Sequence, residues 1–153
     1  MSEYVATVAW KRQEREVFTD NRYSRAHQWE LDGGATVSAS AWPHVVPPPL
    51  SNPAGVDPEE AFVASLSSCH MLFFLFFAAK KRFVVESYVD RAVGHLEMNE
   101  AGRQAMTRVV LRPSIEFSGT LPNADALRSL HDQAHHECYI ANSVTTKVEV
   151  EPT

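Results

Sequence analysis

The chain has 153 residues, of which 44% are hydrophobic and 22% are charged. These are the values of an ordinary globular protein, and a chain of this length is expected to form one domain, residues 1–153, whose core needs no disulfide bonds. The formal net charge of -5 disfavours a nucleic-acid partner, because binding to a phosphate backbone depends on clustered positive charge.

The N-terminal residues lack a basic start followed by an apolar segment, so the sequence predicts no signal peptide. The longest apolar run, residues 71–79, has nine residues, whereas a membrane span needs about 20. We therefore expect a buried helix around this run, no membrane partner and a cytoplasmic location. Thiols are kept reduced in the cytosol, so the two cysteines are expected to be catalytic or metal-binding rather than structural.

The first third of the chain predicts three strands and an irregular loop. Alternating apolar residues over Glu3–Trp10 indicate a half-buried strand. His27–Leu31 and Thr36–Ala41 are predicted as two further strands, joined by a tight turn at residues 32–34. The following residues, 42–56, are rich in proline and are expected to form neither a helix nor a central strand.

A long helix is predicted to begin after Asp57. That residue can cap the helix, Pro58 suits the first helical position, and Glu60 completes a capping box. The helix is expected to end near Lys81. From Met71 onward it is apolar on nearly all sides, which predicts burial on most of its faces.

The remaining sequence predicts two strands, a second helix and a final strand. The two strands are Val84–Glu97 and Thr107–Phe117, and the helix extends from Ala124 to about His136. A short irregular segment or single helical turn follows, and Ser143–Val150 closes the chain as a strand. This order of elements predicts an α+β fold with a mostly antiparallel sheet.

The candidate chemistry lies with Cys69, in the middle of the long helix, and Cys138, just after the second helix. A lone free cysteine is most often a small core residue, but both cysteines of this chain occupy special positions. Zinc binding is a competing interpretation, since His135 and Cys138 are three residues apart and could share a metal. The C-x₂-C spacing typical of structural zinc sites is absent, so we expect no metal and no other cofactor.

Two segments resemble the OsmC/Ohr family. Residues 57–70, D-P-E-E-A-F-V-A-S-L-S-S-C-H, are similar to the family signature, in which Asn or Asp, Pro and Glu precede an apolar helix. In that signature a cysteine follows the glutamate by ten positions, as it does here. Residues 138–144, C-Y-I-A-N-S-V, are similar to the family's second cysteine segment. The order of elements agrees as well, and the resemblance covers nearly the whole chain.

The resemblance implies an OsmC-like fold and a stress-response enzyme that reduces organic hydroperoxides. It also implies an intertwined homodimer, with two active sites at its interface, and an external dithiol reductant. By the same resemblance Cys69 is the peroxidatic cysteine, Cys138 the resolving cysteine and Glu59 the acidic partner. The family's arginine corresponds to Arg25 or Arg22, and the place just before a strand favours Arg25. The histidine that follows Cys69 departs from the family pattern, and the physiological peroxide and reductant stay open.

The chemistry explains why these residue types are needed. A thiolate is the nucleophile, an arginine stabilises it and the charge on the peroxide, and a carboxylate orients the guanidinium. Glu59 and Cys69 are about 15 Å apart along one helix. Either Glu59 acts across a two-fold axis in the partner's site, or the helix breaks between the two residues. The alternative function is a non-catalytic ligand- or metal-binding stress protein on the same fold.

Overall fold

The computed structural model describes all 153 residues, whose contacts divide into an N-terminal unit, Met1–Ala61, and a C-terminal unit, Phe62–Thr153. The chain contains eight strands, two α-helices and one short 3₁₀ turn. Antiparallel pairs predominate among the strands. The predicted α+β architecture is therefore confirmed.

The N-terminal unit contains a three-stranded antiparallel sheet in the order β1 (Ala6–Ala9), β2 (His27–Leu31) and β3 (Thr36–Ala39). β2 has the predicted bounds, whereas β1 and β3 are shorter than predicted. The turn between β2 and β3 depends on Gly34, whose φ of 86° lies in the left-handed region that glycine adopts without strain. Every residue of β1 is exposed in the protomer, so the predicted half-burial of this strand is wrong there.

The proline-rich loop after β3 contains neither helix nor strand, as predicted. Its end returns to β3 through Val56, whose N–H donates to the Ser38 carbonyl and whose carbonyl accepts from the Ser40 N–H. Gly55 permits this return, because a Cβ there would lie 3.0 Å from the backbone of Ala39. The loop therefore brings the start of the first helix to the edge of the N-terminal sheet.

Helix α1 extends without a break over Pro58–Lys80. Asp57 caps it as predicted, because its Oδ1 accepts a hydrogen bond of 2.8 Å from the backbone N–H of Glu60. The alternative of a helix break between Glu59 and Cys69 is therefore wrong.

Burial of α1 is one-sided in the protomer. Its buried side chains recur every four residues and are Leu66, His70, Phe74 and Ala78. On the other side Leu72 and Phe76 are 61% and 58% exposed, so the prediction of burial on most faces is wrong for the single chain. By length and composition alone α1 could cross a membrane, a test that the core helix of a soluble protein also passes.

The two long strands predicted after α1 are each interrupted. The first is divided into β4 (Val84–Asp90) and β5 (Val93–Met98), and the second into β6 (Gln104–Leu111) and β7 (Pro113–Ser118). β4 pairs with β7 and β5 with β6, both antiparallel. The final strand, β8 (Lys147–Val150), is shorter than predicted and pairs parallel to β6.

Asp90 holds the two halves of this broken hairpin. One of its carboxylate oxygens accepts a hydrogen bond of 2.6 Å from the backbone N–H of Arg112, and the other accepts from the Ser67 hydroxyl on α1. Gly94 on β5 lets α1 approach the sheet, because a Cβ at this position would collide with Val63 and Met106.

Helix α2 covers Ala124–Glu137, one residue longer than predicted, and a 3₁₀ turn at Ala141–Ser143 follows it. Two apolar clusters form the core of the C-terminal unit. One packs α1 against α2 around Phe74 and Leu130, and the other packs α1 against β6 around Leu66. These clusters pack the two helices against each other; Cys69 lies within α1, and Cys138 caps the end of α2.

Candidate active site

The two cysteines meet in the C-terminal unit. Cys69 lies on α1 and is half-buried, whereas Cys138 is the C-cap residue of α2 and is only 1% exposed. Both are free thiols, and the Cys69 thiol lies beside the Cys138 thiol. The fold thus brings together two thiols that are 69 positions apart in the sequence.

The two thiols differ in their surroundings. Burial raises the pKa of Cys138 to about 11, and the Cys69 thiol beside it acts in the same direction. The backbone N–H of Ala141 donates to the Cys138 sulfur at 3.4 Å and offsets part of this effect. Cys138 is therefore a protonated thiol at neutral pH, and a protonated thiol is a poor nucleophile.

An aromatic pair flanks the thiols. Phe73 lies one helical turn after Cys69 on α1, and Tyr139 follows Cys138 directly. Their rings meet edge-on, with centroids 5.0 Å apart, and Tyr139 is largely exposed. Apolar surface therefore lies beside the candidate nucleophile.

A cavity of about 570 Å³ lies in the N-terminal unit, and both Arg25 and Glu59 line it. Arg22 does not line this cavity and is exposed. The aromatic residues of the wall are Trp10, Phe18, Tyr23 and Trp42. Of the four predicted site residues, two thus share a cavity of the N-terminal unit, and two are in contact in the C-terminal unit.

The Arg25 guanidinium is held on one edge only. It lies over the Tyr23 ring, 3.8 Å from the ring centroid, and Nη1 donates to the carbonyls of Asn21 and Tyr23. Nη2 donates to the Asn21 side-chain oxygen at 3.0 Å. Nε and the second Nη2 hydrogen make no hydrogen bond within the protomer, so one two-pronged edge is open. The predicted contact between Arg25 and Glu59 is not an ion pair in the single chain.

A pair of buried histidines joins α1 to α2, and one of them, His70, directly follows Cys69 in the chain. His70 Nε2 and His131 Nδ1 are 3.0 Å apart, and the two rings are almost coplanar, at 9°. Burial lowers the pKa of His70 to about 3 and that of His131 to about 4, so both imidazoles are neutral at physiological pH. In the sequence His70 stands out only as a departure from the family pattern, and His131 does not stand out as a candidate. The available signal was spacing, because His131 shares the buried face of α2 with Leu127, Ala134 and Cys138.

Metal ligands do not converge in this structure. No group of three or more His, Cys, Asp or Glu side chains is arranged to hold a metal ion. The zinc interpretation of His135 and Cys138 therefore lacks the further ligands that a tetrahedral site needs.

Residues 51–153 match the family model described as OsmC-like protein. No curated protein sequence matches the chain. The structure is similar to an OsmC-like protein of unknown function from Vibrio cholerae, with 60% identity, a TM-score of 0.98 and 100% of both chains covered.

More distant solved structures share the fold. One is an organic hydroperoxide resistance protein from Elizabethkingia anophelis, with 18% identity, a TM-score of 0.71, and 100% of this chain and 95% of that chain covered. Another is the organic hydroperoxide resistance protein OhrB of Bacillus subtilis. It has 14% identity and a TM-score of 0.66, and the match covers 99% of this chain and 98% of that chain. The family model spans well over half of the sequence, and the matched part contains both cysteines; this chain belongs to the OsmC-like family.

Proposed function

We propose that this protein is a cysteine-based peroxidase that reduces organic hydroperoxides to alcohols. The observation that carries the proposal is the contact between two free thiols with opposite surroundings, Cys69 half-buried and Cys138 fully buried. A reactive thiol with a second thiol in contact has the arrangement needed for oxidation and resolution. The names of the distant relatives support organic hydroperoxides as the substrate class.

The proposed cycle begins with attack of the Cys69 thiolate on the peroxide. An S–O bond forms while the O–O bond breaks, and the leaving alkoxide takes a proton from solvent to become the alcohol. Cys69 is then a sulfenic acid. Cys138 condenses with it, so that the S–S bond forms and water leaves with the thiol proton. An external dithiol reduces the disulfide and returns both thiols.

Arg25 and Glu59 are proposed to complete each site. The open Nε and Nη2 edge of Arg25 suits a thiolate or a peroxide oxygen, since charged acceptors make the strongest hydrogen bonds with a guanidinium. Glu59 and Cys69 are about 15 Å apart along the unbroken helix α1, too far for one small site. We therefore propose that Glu59, and Arg25 with it, serves the Cys69 of a second copy.

The exposed side of α1 supports a homodimer. Its N-terminal half presents small residues, Ala64, Ser65 and Ser68, and its C-terminal half presents Leu72 and Phe76. Two such helices that cross antiparallel at a two-fold axis set the large side chains of one copy on the small ones of the other. The same dimer would bury Leu72 and Phe76, which are exposed in the single chain. We place this dimer in the cytoplasm, where its thiols stay reduced.

A thiol count tests the proposal. The reduced protein is mixed with one equivalent of cumene hydroperoxide, and free thiols and mass are measured before and after. We expect both thiols to be lost to one intramolecular disulfide, and we expect no loss in Cys69→Ser. Unchanged thiols in the parent protein would contradict the peroxidase and favour a non-catalytic binding function.

A further inference from the structure

A buried polar contact joins the helix of Cys69 to the helix that Cys138 caps. It is the hydrogen bond between His70 and His131, whereas the bond from Lys81, just after α1, to Ser129 on α2 is exposed. The buried contacts around it are apolar and involve Phe74 with its neighbours. A hydrogen bond depends on both distance and angle, so this buried bond constrains the register between the helices.

Stability alone does not account for the pair. Only one proton lies between two neutral imidazoles, so whichever ring donates, one outer nitrogen is an unused donor and the other an unused acceptor. Both outer nitrogens, His70 Nδ1 and His131 Nε2, are buried without a partner. Burying two polar atoms without partners destabilises the fold by more than one hydrogen bond between the rings stabilises it. Two apolar side chains at these positions would avoid this destabilisation. The pair therefore calls for an explanation other than packing.

The position of the pair suggests that explanation. His70 follows Cys69 directly on α1. On α2, His131 and Cys138 are seven residues apart, which is two turns, and their directions differ by only about 20°. A bond between the rings thus constrains the separation and the axial register of the two helices, beside Cys69 on α1 and two turns, about 10.5 Å, before Cys138 on α2.

We propose that His70 and His131 are positioning residues for disulfide formation, because their hydrogen bond holds the end of α2 where the Cys138 thiol meets Cys69. The inference rests on the proposed peroxidase cycle. In the step concerned, the Cys69 sulfenic acid and the Cys138 thiol form the S–S bond and release one water molecule. The histidines exchange no atoms in this step. They raise the fraction of time that the two sulfurs spend within bonding distance.

The test compares two double variants. His70→Leu with His131→Leu removes the bond and all four nitrogens at similar side-chain volume. His70→Gln with His131→Asn keeps amide groups near the positions of Nε2 and Nδ1, so it can restore the bond. Leu130→Ala is the matched control, because it weakens the packing of α1 on α2 and leaves the histidines in place.

The first measurement needs no peroxide. The Cys69–Cys138 disulfide is equilibrated with mixtures of reduced and oxidised dithiothreitol, and its equilibrium constant is read by thiol labelling. We expect the leucine pair to lower this constant at least tenfold, and the amide pair and Leu130→Ala to stay within about threefold of the parent. The melting temperature of the reduced leucine pair should equal or exceed that of the parent. This combination separates positioning from stability.

The second measurement uses cumene hydroperoxide and follows the lifetime of the Cys69 sulfenic acid. We expect the leucine pair to lengthen this lifetime about tenfold, with no change in the rate at which the acid forms. A folded leucine pair with the parental equilibrium constant would overturn the proposal. So would a leucine pair that fails to fold, because the histidines would then be a requirement of folding. If the parent protein does not react with peroxide, the proposed function fails, and the dithiothreitol equilibrium still decides the role of the histidines.

Discussion

The thiol of Cys138 lies against that of Cys69 at the junction of α1 and α2. Cys138 is inaccessible and its pKa is raised to about 11, whereas Cys69 is half-buried in the middle of its helix. A reagent from solvent therefore reaches Cys69 first. The two thiols thus have different surroundings, and under the proposed function this difference determines what each substitution should do.

Replacing Cys138 should separate oxidation from turnover. Cys138→Ser is expected to consume about one equivalent of hydroperoxide and to stop as a sulfenic acid, because no thiol is left to condense with it. Mass spectrometry after trapping with a dimedone-type reagent measures this species. Cys69→Ser is the control and should consume no peroxide, since the remaining thiol is buried and protonated. A Cys138→Ser protein that cycles with dithiol as fast as the parent would remove the resolving role.

Replacing Arg25 should make Cys69 less reactive. In the proposed site the guanidinium stabilises the thiolate, which is the reactive form, so Arg25→Ala should slow alkylation by iodoacetamide at neutral pH about tenfold or more. Arg22→Ala is the matched control, because this arginine does not line the cavity that holds Arg25. The rate is measured by mass spectrometry on the reduced protein. Should only Arg22→Ala slow alkylation, the two arginines must be exchanged in the proposed site.

Subunit mixing should show whether the sites are shared. Cys69→Ser and Glu59→Ala are each expected to be inactive alone, because every site of the proposed homodimer then has a defect. If Glu59 serves the partner's cysteine, the mixed dimer has both defects in one site and an intact second site. Peroxidase activity should then reappear after subunit exchange, which mass spectrometry of differently labelled chains confirms. If the subunits exchange and peroxidase activity does not reappear, Glu59 does not act in the partner's site.

The buried histidine pair should make the fold sensitive to acid. The pKa values of His70 and His131 are lowered from 6.5 to about 3 and 4, chiefly by burial. His135 further opposes protonation of His70, whereas Asp132 and Asp90 favour protonation of His131. Below pH 6.5 the unfolded chain binds protons at these positions and the folded chain does not, so unfolding takes up protons. The free energy of unfolding should therefore fall as the pH falls from about 6.5 to 4, by up to about 1.4 kcal/mol per pH unit for each histidine.

Denaturant unfolding at several pH values measures this dependence. The leucine pair at positions 70 and 131 is the comparison, since carboxylates contribute equally to both proteins and the histidine contribution is absent from one. The parent should lose stability more steeply between pH 6.5 and 4. Equal slopes would show that the histidines are not held neutral by the fold.

Local features of the sequence were sufficient to predict most elements. The bounds of β2 and α2, the cap at Asp57 and the irregular proline-rich loop depend on neighbouring residues, because caps, turns and periodicity are short-range interactions. The family was also accessible, since the signature around Cys69 and the segment after Cys138 are contiguous motifs. Both the fold class and the two candidate cysteines could thus be named from the sequence.

Long-range partners decided the rest. The break in the strands depends on Asp90 and its bond to Arg112, which a strand pattern does not record. His131 became a candidate only when α2 packed on α1, and the cavity that Arg25 and Glu59 share forms only in the folded chain. The apolar pattern of α1 was visible in the sequence, but which side the protomer leaves exposed was not. Burial is determined by elements distant in the chain, and a one-dimensional pattern does not specify which elements meet.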